Sequence, residues 1–387
     1  MKYFSHLNTA AKILQQYKGE EPFAHYIKFF FRQHRKYGST DRKTIAHLCY
    51  CYFRLGHLLK NIPVEERILT GIFLCDQQPG ELLNYFKPEW NAAVHLPMQE
   101  KLSLINGSVQ VNDIFPWKEE LSDGIDAQKF AESFLVQPDL FLRIRPGFEE
   151  TVSQKLSAKE IGFSRITGSC LALPNSIRIE GIVEINKEVV VQDYNSQQVA
   201  AFFQPQNMLC KLQTAWDCCA ASGGKSIMLH DLYPDVSLTV SDIRESILAN
   251  LGKRFAEAGI TDYRSYVTDL SATQYKPPPQ KYDLIIADLP CSGSGTWART
   301  PESLCFFDIH EIGRYSALQK KIISNVIPSL LNSGSFVYIT CSVFKKENEE
   351  VVDFVRRQFG LQLQKIEWLR GYHLKADSMF AAVFTKM

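Results

Sequence analysis

The chain has 387 residues, of which 45% are hydrophobic and 22% are charged, and its formal net charge is +1. This length exceeds what one ordinary hydrophobic core organises, so we expect two or three domains. No apolar run reaches the roughly 18 residues of a membrane-spanning helix, and the first residues lack the apolar core of a secretory signal. Ten cysteines without regular spacing favour reduced thiols over a disulfide framework. We therefore expect a cytoplasmic protein without a membrane partner, and a monomer as the default state.

The small net charge conceals a basic amino-terminal segment. Residues 1–60 contain eleven Lys or Arg against three acidic residues, a net charge of +8, which leaves 32 basic and 39 acidic residues, or −7, for the remainder. Within this segment, residues 26–38 interleave basic and aromatic side chains, as surfaces that contact phosphates and bases do. A solvated helix face explains the same pattern equally well. Both interpretations stay open for this segment taken alone.

The first third of the chain has the spacing of helices. Apolar residues recur at helical intervals over 10–16, 23–31, 42–59 and 65–76. Ser39, Thr40 and Asp41 supply oxygens that suit the start of the third helix. These patterns predict a bundle of five to seven helices over residues 1–130, with a basic face.

The pattern changes near residue 138 to short strands around one helix. Strands are predicted at 140–145, 170–173, 176–180 and 189–192, with a helix over 148–162. This β-α-β-β arrangement predicts a compact α+β insert over residues 131–200. Arg143 and Arg145 share one face of the first strand, because side chains alternate along a strand. Such a pair suits either a bound phosphate or a surface ion pair.

Residues 201–387 alternate between strand and helix patterns. Strands are predicted at 214–217, 237–241, 265–267, 284–287 and 336–339, and helices at 225–232, 245–258, 309–331 and 347–358. This alternation, continued to the end of the chain, is typical of a doubly wound α/β sheet. Ligands bind such sheets at the carboxyl ends of the strands.

Two cysteines are expected at that carboxyl edge. The stretch DLPCSGSG, residues 288–295, follows an apolar strand and carries Asp288 and Cys291. The strand at 336–339 ends in the same manner, at Cys341. Free cysteines are often core residues, so packing is the alternative. Two thiols at strand ends, one of them near a carboxylate, favour a catalytic role over packing.

A glycine loop follows the first strand of this sheet, in DCCAASGGKS at residues 217–226. Gly223 and Gly224 let the backbone approach a ligand closely, and the helix that follows offers free N–H groups to a carboxylate or phosphate. A nucleotide P-loop needs glycine where Cys219 stands, so that motif is not matched. A structural turn without a ligand is the alternative.

Two acidic residues follow the next two strands. Asp242 stands where a carboxylate commonly bonds ribose hydroxyls, and Asp269 is placed to meet an adenine amino group. Each of them alone suits a helix N-cap equally well. Together with the glycine loop they predict a nucleoside-bearing ligand, for which S-adenosyl-L-methionine and NAD both remain open.

Five motifs give the chain a family resemblance. DCCAASGGK, SDIRESIL, TDLS, DLPCSGSG and TCSVFKKENEE occur in the order found in the RsmB/Sun (Fmu) family of S-adenosylmethionine-dependent RNA cytosine-5 methyltransferases. The resemblance is strong over residues 190–350, and residues 1–130 resemble the NusB-like helical domain that some members carry. It implies an α/β fold with a class I (Rossmann-like) methyltransferase domain at 201–387. A small RRM-like α+β insert at 131–200 and a NusB-like, RNA-binding helical bundle at 1–130 would precede that domain.

The resemblance also implies site residues. Cys341 would be the nucleophile and Cys291 the second thiol, which releases the product, with Lys225 and Asp288 near the target base. The residues implied to surround S-adenosylmethionine are Cys219, Ala220, Ala221, Ser222, Gly223, Gly224, Lys225, Asp242, Asp269 and Asp288. The chain departs from the family pattern at two places. Ser222 replaces the usual proline, and residues 371–387 resemble the family's ending only loosely.

The implied reaction is methylation of cytosine C5 in 16S ribosomal RNA, through a covalent adduct between Cys341 and cytosine C6. A thiolate that adds to C6 makes C5 nucleophilic, and a hydrogen-bonded Asp288 stabilises charge that develops on the ring. Transfer RNA is the alternative substrate, and a non-catalytic RNA-binding or assembly protein is the alternative function. A thiol redox role requires the two cysteines to approach within bonding distance.

No metal site is expected, because no CxxC pair occurs and the nine His are scattered. The remaining cysteines are interpreted as packing residues: Cys49, Cys51, Cys75, Cys170, Cys210, Cys218 and Cys305. The sequence thus predicts a methyltransferase of ribosomal RNA processing whose chemistry depends on two thiols.

Overall fold

A computed structural model describes residues 2–105, 109–204, 212–277 and 279–386. The chain folds into two units. The first comprises Met1–Leu121, Asp126–Gln137 and Thr296–Ile309, and the second comprises Ser122–Ile125, Pro138–Gly295 and His310–Met387. Cys210 lies outside the described residues, and the division into three domains stays a prediction.

The secondary-structure elements of the described residues are numbered in chain order. The helices are α1 (Lys2–Gln16), α2 (Phe23–Gln33), α3 (Ser39–Arg54), α4 (Val64–Cys75), α5 (Glu81–Phe86), α6 (Pro88–Ala92), α7 (Met98–Ile105), α8 (Ala127–Ser133), α9 (Glu149–Ser157), α10 (Tyr194–Gln198), α11 (Gly224–Leu232), α12 (Glu245–Ala258), α13 (Glu302–Phe306), α14 (Glu311–Val326) and α15 (Glu349–Phe359). The strands are β1 (Leu140–Ile144), β2 (Ser164–Arg165), β3 (Cys170–Leu173), β4 (Val189–Val191), β5 (Thr214–Asp217), β6 (Ser237–Asp242), β7 (Tyr263–Val267), β8 (Tyr282–Asp288), β9 (Leu330–Thr340), β10 (Gln362–Leu369) and β11 (Met379–Thr385). Within the described ranges, no helix is both long enough and apolar enough to cross a membrane.

The first unit is helical and has an aromatic core. It contains α1 to α8 and α13, so eight α-helices precede the first strand where the sequence predicts five to seven. Phe23, Phe53, Phe73 and Phe134 are each at most 2% exposed. Large aromatic side chains remove much apolar surface from water, and their burial is the main stabilising contribution in such a bundle.

The bounds of α3 follow from local chemistry. The helix begins at Ser39, where the Asp41 carboxylate accepts a hydrogen bond from the Gly38 N–H at 3.1 Å, as the predicted start requires. It ends at Arg54 instead of continuing to residue 59. Gly56 and Leu59 both adopt positive φ, which an α-helix does not accommodate.

The second unit contains a four-stranded antiparallel sheet in the order β2-β3-β1-β4, with α9 packed against it. β1, β3 and β4 lie where the sequence predicts strands, but the strand predicted at 176–180 is wrong. Pro174 follows β3, and the Ile177 N–H donates to the Pro174 carbonyl at 3.0 Å. The chain therefore turns at this point instead of extending. The fourth strand of the sheet is β2, which the sequence analysis does not predict.

Arg143 and Arg145 form a buried ion-pair cluster. Arg143 lies 2.6 Å from the Asp231 carboxylate and Arg145 lies 2.8 Å from it. All three side chains are at most 11% exposed. Both guanidinium groups are buried and paired with the same carboxylate, which fits the ion-pair interpretation and not a phosphate site open to solvent. The ion-pair interpretation holds, although the pair is buried and not on the surface.

A seven-stranded sheet in the order β10-β11-β9-β8-β5-β6-β7 forms the rest of the second unit. β5, β6, β7, β8 and β9 are parallel and include all five predicted strands. Successive residues of β8 enter opposite cores: Leu284 and Ile286 pack with α11 and α12, whereas Ile285 packs with α14 and α15. Helices therefore cover both faces, as predicted for a doubly wound sheet.

The predicted strand-helix alternation fails at the carboxyl terminus. β10 and β11 form an antiparallel pair, and β11 lies between β10 and β9. Every residue of β11 is buried. The apolar run of this segment marks a strand covered on both faces, and its antiparallel direction makes the sheet mixed.

Candidate active site

The loop after β5 is a tight turn that starts α11. The Ala220 N–H donates to the Ser241 carbonyl at 2.9 Å, which ties the loop to β6. Gly223 has φ of 84°, and a Cβ atom there would lie 2.7 Å from the Phe255 ring. Only glycine satisfies both the conformation and the space.

Two carboxylates follow β6 and β7. Asp242 accepts hydrogen bonds from the N–H groups of Arg244 and Ala221 at 2.9 Å and 3.1 Å, and it pairs with the Arg244 guanidinium at 3.0 Å. Burial opposes its ionisation, but the bonds from Arg244 outweigh burial and keep the pKa of Asp242 below its ordinary value. The Asp269 carboxylate accepts from Ser271 N–H and Oγ at 2.8 Å and 2.6 Å, which lowers its pKa as well. Both residues therefore present anionic oxygens.

A cleft of about 450 Å³ runs along this carboxyl edge, within the usual range of about 300–1,000 Å³ for small-molecule sites. The predicted site residues that line it are Cys219, Ala221, Asp242, Asp269, Asp288, Cys291 and Cys341. The sequence analysis missed its apolar lining, which includes Ile243, Leu270, Leu289, Leu318 and Ile322. Ile243 is 60% exposed. Ile243 directly follows Asp242, the last residue of β6. An apolar residue at this position is the sequence signal that could have predicted the apolar lining.

The other predicted residues do not line this cleft. They are Ala220, Ser222, Gly223, Gly224 and Lys225. Ser222 accepts a hydrogen bond from Arg254 at 2.7 Å, so the residue that replaces the family's proline is held by α12. These residues shape or anchor the loop, and Lys225 reaches the neighbouring strand end.

Lys225 and Asp288 form an ion pair beside the cleft. Their Nζ and Oδ2 atoms are 2.6 Å apart, and their side chains are 12% and 29% exposed. Burial disfavours the ammonium, but the Asp288 charge outweighs it and raises the pKa of Lys225. Cys341 is a further electrostatic neighbour of Lys225. A permanent positive charge thus lies near one of the two thiols.

Asp217, the last residue of β5, is a buried carboxyl group that the sequence analysis did not single out. Its side chain accepts a hydrogen bond from Ser226 Oγ at 2.6 Å. Burial raises the pKa of Asp217 to about 7, and the bond from Ser226 offsets only part of this effect.

The two cysteines predicted at the sheet edge meet. Their Sγ atoms are 3.3 Å apart, and both thiols are free. The hydrogen bond with Cys341, together with burial, raises the pKa of Cys291 well above its ordinary value. The contact with Cys341 and burial therefore favour the protonated form of Cys291, and either sulfur can be the donor in the hydrogen bond between them.

The carboxyl-terminal segment fixes the loop that carries Cys291. The Gly295 N–H donates to the Cys341 carbonyl at 2.8 Å, and the Ser378 N–H donates to the Gly295 carbonyl at 2.9 Å. A Cβ atom on Gly295 would lie 1.9 Å from the Ser378 carbonyl oxygen. Residues 371–387, which resemble the family only loosely, thus support the site through backbone contacts.

Glu347 lies between the two cysteine loops and is fully buried. Its carboxylate accepts from the Ser292 N–H at 2.8 Å and from Ser342 Oγ at 3.1 Å. Burial raises the pKa of Glu347, although the bonds from Ser292 and Ser342 oppose the shift. The sequence analysis quotes this residue within TCSVFKKENEE but gives it no role. Its carboxylate contacts Ser292 and Ser342, the residues that directly follow the two cysteines. This contact depends on the three-dimensional fold and cannot be read from the spacing of the motifs.

A mixed seven-stranded sheet in this order, with carboxylates at successive strand ends, defines a Rossmann-like methyltransferase fold. Three solved structures share it. PH0851 superposes with a TM-score of 0.70 at 16% identity, covering 98% of both chains. A methyltransferase homologue from Pyrococcus horikoshii gives 0.57 at 20% identity, covering 69% of this chain and 92% of its own. NSun6 from Pyrococcus horikoshii, solved with SFG, gives 0.58 at 14% identity, covering 67% and 94%.

Residues 200–384 match the sequence family described as "16S rRNA methyltransferase RsmB/F". This match and the relatives named below confirm the resemblance to the RsmB/Sun methyltransferase family that the motifs give over this part of the chain. It is 26% identical over 329 residues to the probable ribosomal RNA small subunit methyltransferase B of Synechocystis, covering 80% of this chain and 72% of that protein. It is 26% identical over 229 residues to the ribosomal RNA small subunit methyltransferase B of Citrobacter koseri, covering 57% and 52%.

Proposed function

We propose that the protein is an S-adenosylmethionine-dependent RNA cytosine-C5 methyltransferase that acts on small-subunit ribosomal RNA. The observation that carries this proposal is the pair of free thiols of Cys291 and Cys341, 3.3 Å apart at one edge of the sheet. An N-methyltransferase needs no thiol. The relatives that are named as small-subunit ribosomal RNA methyltransferases support the substrate class.

The cleft fits S-adenosylmethionine in its chemistry. Asp242 offers carboxylate oxygens to ribose hydroxyls, Asp269 offers them to an adenine amino group, and Ile243 and Leu270 supply apolar surface for a flat base. A carboxylate has about four acceptor positions, and Asp242 already accepts one bond from Ala221 and three from Arg244. A ligand hydroxyl would therefore replace the longest of them, the 3.3 Å bond from the Arg244 guanidinium. When bound, the cofactor supplies a methyl group activated by its sulfonium.

Cys341 begins the proposed reaction as a thiolate. The Lys225 ammonium is its electrostatic neighbour, and the Cys291 thiol lies 3.3 Å from its sulfur. The sulfur bonds to cytosine C6, and the electron pair of the C5–C6 double bond moves into the ring. Hydrogen bonding from the Lys225–Asp288 pair stabilises that charge. C5 would then take the methyl group that the bound cofactor supplies, and the methyl–sulfur bond would break to leave a neutral thioether.

Cys291 completes the reaction. The hydrogen bond and the charge of Cys341 raise its pKa in addition to burial and Glu347, and these two contributions of Cys341 disappear once its sulfur is bonded to carbon. Cys291 then loses its proton to solvent more readily. Its thiolate removes the C5 proton, the C5–C6 double bond re-forms, and Cys341 leaves as a thiolate.

The product identifies the reaction. Wild-type protein is incubated with methyl-labelled S-adenosylmethionine and unmodified small-subunit ribosomal RNA, and the RNA is digested to nucleosides. We expect label in 5-methylcytidine. Label in N4-methylcytidine would overturn the reaction class, and label in transfer RNA but not in ribosomal RNA would overturn the substrate. Disulfide cycling of the two thiols without methyl transfer would favour the redox alternative.

A further inference from the structure

Three potential metal ligands lie together in the first unit with a fourth next to them in the chain, and the proposed function uses none of them. α3 carries His47 and Cys51 one turn apart, so both project from the same face. α4 ends at Cys75, and Asp76 follows directly. Ligand atoms of His47, Cys51 and Asp76 all lie within 4.8 Å of one another. Cys75 lies outside this set of three and is an electrostatic neighbour of the Cys51 thiol.

The separations match those between the ligands of a tetrahedral zinc ion. His47 Nε2 is 3.6 Å from Cys51 Sγ and 3.0 Å from Asp76 Oδ1. Zinc–ligand bonds of about 2.0–2.3 Å at tetrahedral angles place neighbouring N and S atoms about 3.5 Å apart, and N and O atoms about 3.3 Å apart. Small side-chain adjustments would therefore bring the set to coordination geometry.

A buried cation beside the cluster is the second observation. Lys101 is fully buried, and its ammonium donates to the backbone carbonyls of Phe73 and Asp76 at 3.0 Å and 2.8 Å. Among the described residues it makes no ion pair, and its electrostatic neighbours include Cys75 and Asp76. A buried ammonium is costly unless negative charge lies close by. Two thiolates, one carboxylate and one divalent ion carry a net charge of −1, which compensates Lys101.

We propose that His47, Cys51, Cys75 and Asp76 bind one zinc ion that joins the end of α4 to α3. Four protein ligands leave no position for a substrate, as in structural zinc sites. On binding, the two thiol protons pass to solvent as the zinc–sulfur bonds form. Side-chain exposures of 52% for His47 and 30% for Asp76 give the ion a path from solvent. This proposal revises the expectation that the protein lacks a metal site.

Cobalt tests the proposal directly, because Co²⁺ held tetrahedrally by thiolates absorbs strongly in the visible range. The full-length protein is reduced, stripped of metal with a chelator and titrated with Co²⁺. We expect one Co²⁺ per chain with thiolate-to-cobalt charge transfer, and displacement by one equivalent of Zn²⁺. His47→Ala removes a half-exposed side chain and should weaken Co²⁺ binding at least about tenfold. Loss of a residue that only supports a metal ligand already weakens binding by about this factor. Cys51→Ser should reduce the charge-transfer signal, and Cys51→Ser/Cys75→Ser should remove it.

Two control variants locate the signal. Cys49→Ser alters a buried thiol on the same helix that contacts the Ala10 carbonyl at 3.9 Å, and it should retain binding. The Cys291→Ser/Cys341→Ser protein should also retain it, which separates this site from the proposed reaction. An unchanged affinity in His47→Ala, a charge-transfer signal that survives Cys51→Ser/Cys75→Ser, or no stoichiometric binding would overturn the proposal. A Cys51–Cys75 disulfide in the freshly purified protein, found by mass spectrometry, would overturn it as well.

Discussion

Glu347 holds the backbone after Cys291 and the hydroxyl after Cys341 with one carboxylate. Replacing it with alanine leaves the buried Ser292 N–H without its acceptor, at a cost of about 1–3 kcal/mol in the free energy of unfolding. We expect Glu347→Ala to lower kcat about 10- to 100-fold, because the thiols lose their fixed separation. The KM for S-adenosylmethionine should change little, since Glu347 does not line the cleft.

The charge of Glu347 gives a second measurement on the same residue. Its negative charge contributes to the raised pKa of Cys291, and Glu347→Gln keeps an acceptor for Ser292 without the charge. The glutamine variant should therefore recover much of the activity lost in Glu347→Ala. The rising limb of its kcat–pH profile should move to lower pH. An unchanged profile would contradict the link between Glu347 and Cys291.

Asp217 predicts a pH dependence of stability. Its pKa of about 7 in the folded protein exceeds the value of about 3.9 for an unfolded aspartate. Unfolding therefore releases a proton between these two pH values, and folding stability falls as the pH rises from about 4 to about 7. The difference is on the order of 4 kcal/mol.

Thermal unfolding of wild type and Asp217→Asn at pH 5 and pH 8 isolates this contribution, because the other titrating groups are common to both proteins. We expect the wild-type Tm to drop more than the Tm of the variant over this interval. Equal drops would show that Asp217 does not titrate as described.

The contact between Gly295 and the segment before β11 predicts a large effect of one methyl group. Gly295→Ala places a Cβ atom 1.9 Å from the Ser378 carbonyl oxygen, so the cysteine loop or the strand must shift. We expect a loss of at least about 2 kcal/mol in unfolding free energy, together with reduced activity. Gly313→Ala in α14 is the matched control, since nothing lies within 4 Å of its Cβ position. Equal stability of the two variants would contradict this account.

The strands that the sequence predicts well are the buried parallel ones. β8 contains a continuous apolar run over residues 284–287 that ends at Asp288, and such a run needs no knowledge of its partners to be identified. β11 is also apolar, but the sequence does not predict it as a strand. Nothing in the local sequence indicates that a carboxyl-terminal strand inserts between β9 and β10. The false strand at 176–180 has apolar residues in the right places. The turn after Pro174 overrides them.

The sequence predicts which reactive residues stand at the strand ends, but it does not predict the contacts that they make with distant segments. Sequence order places Asp288, Cys291 and Cys341 at strand ends, and the parallel sheet brings them together. Burial of Asp217 and the bridging position of Glu347 depend on three-dimensional packing between distant segments. The same holds for Arg143, whose partner Asp231 is 88 residues away along the chain.

The first unit carries the exposed basic and aromatic side chains that suggest contact with RNA. Lys28, Phe29 and Arg32 on α2 are all exposed. Replacing Lys28 and Arg32 with alanine should weaken binding to small-subunit ribosomal RNA. The salt dependence, as the slope of log K against log salt concentration, should fall by about 1–2 if both contact phosphates. Binding of S-adenosylmethionine should not change.

Arg356→Ala/Arg357→Ala on α15 is a charge-matched control, because both arginines are solvent-exposed. If this control loses as much affinity and salt dependence as the α2 variant, the loss reflects the overall positive charge of the protein and not a specific contact of α2 with RNA. An unchanged slope in the α2 variant would assign residues 26–38 to a solvated helix face.

The central claim of the proposed mechanism is that Cys341 forms the covalent bond to the RNA and that Cys291 is needed to release the methylated product. The most direct measurement incubates Cys291→Ala with unmodified small-subunit ribosomal RNA and S-adenosylmethionine, followed by a denaturing gel. We predict a protein–RNA adduct that survives denaturation and disappears when Cys341→Ala is added. An adduct that persists without Cys341, or no adduct from a variant that still binds both substrates, would contradict the proposed mechanism.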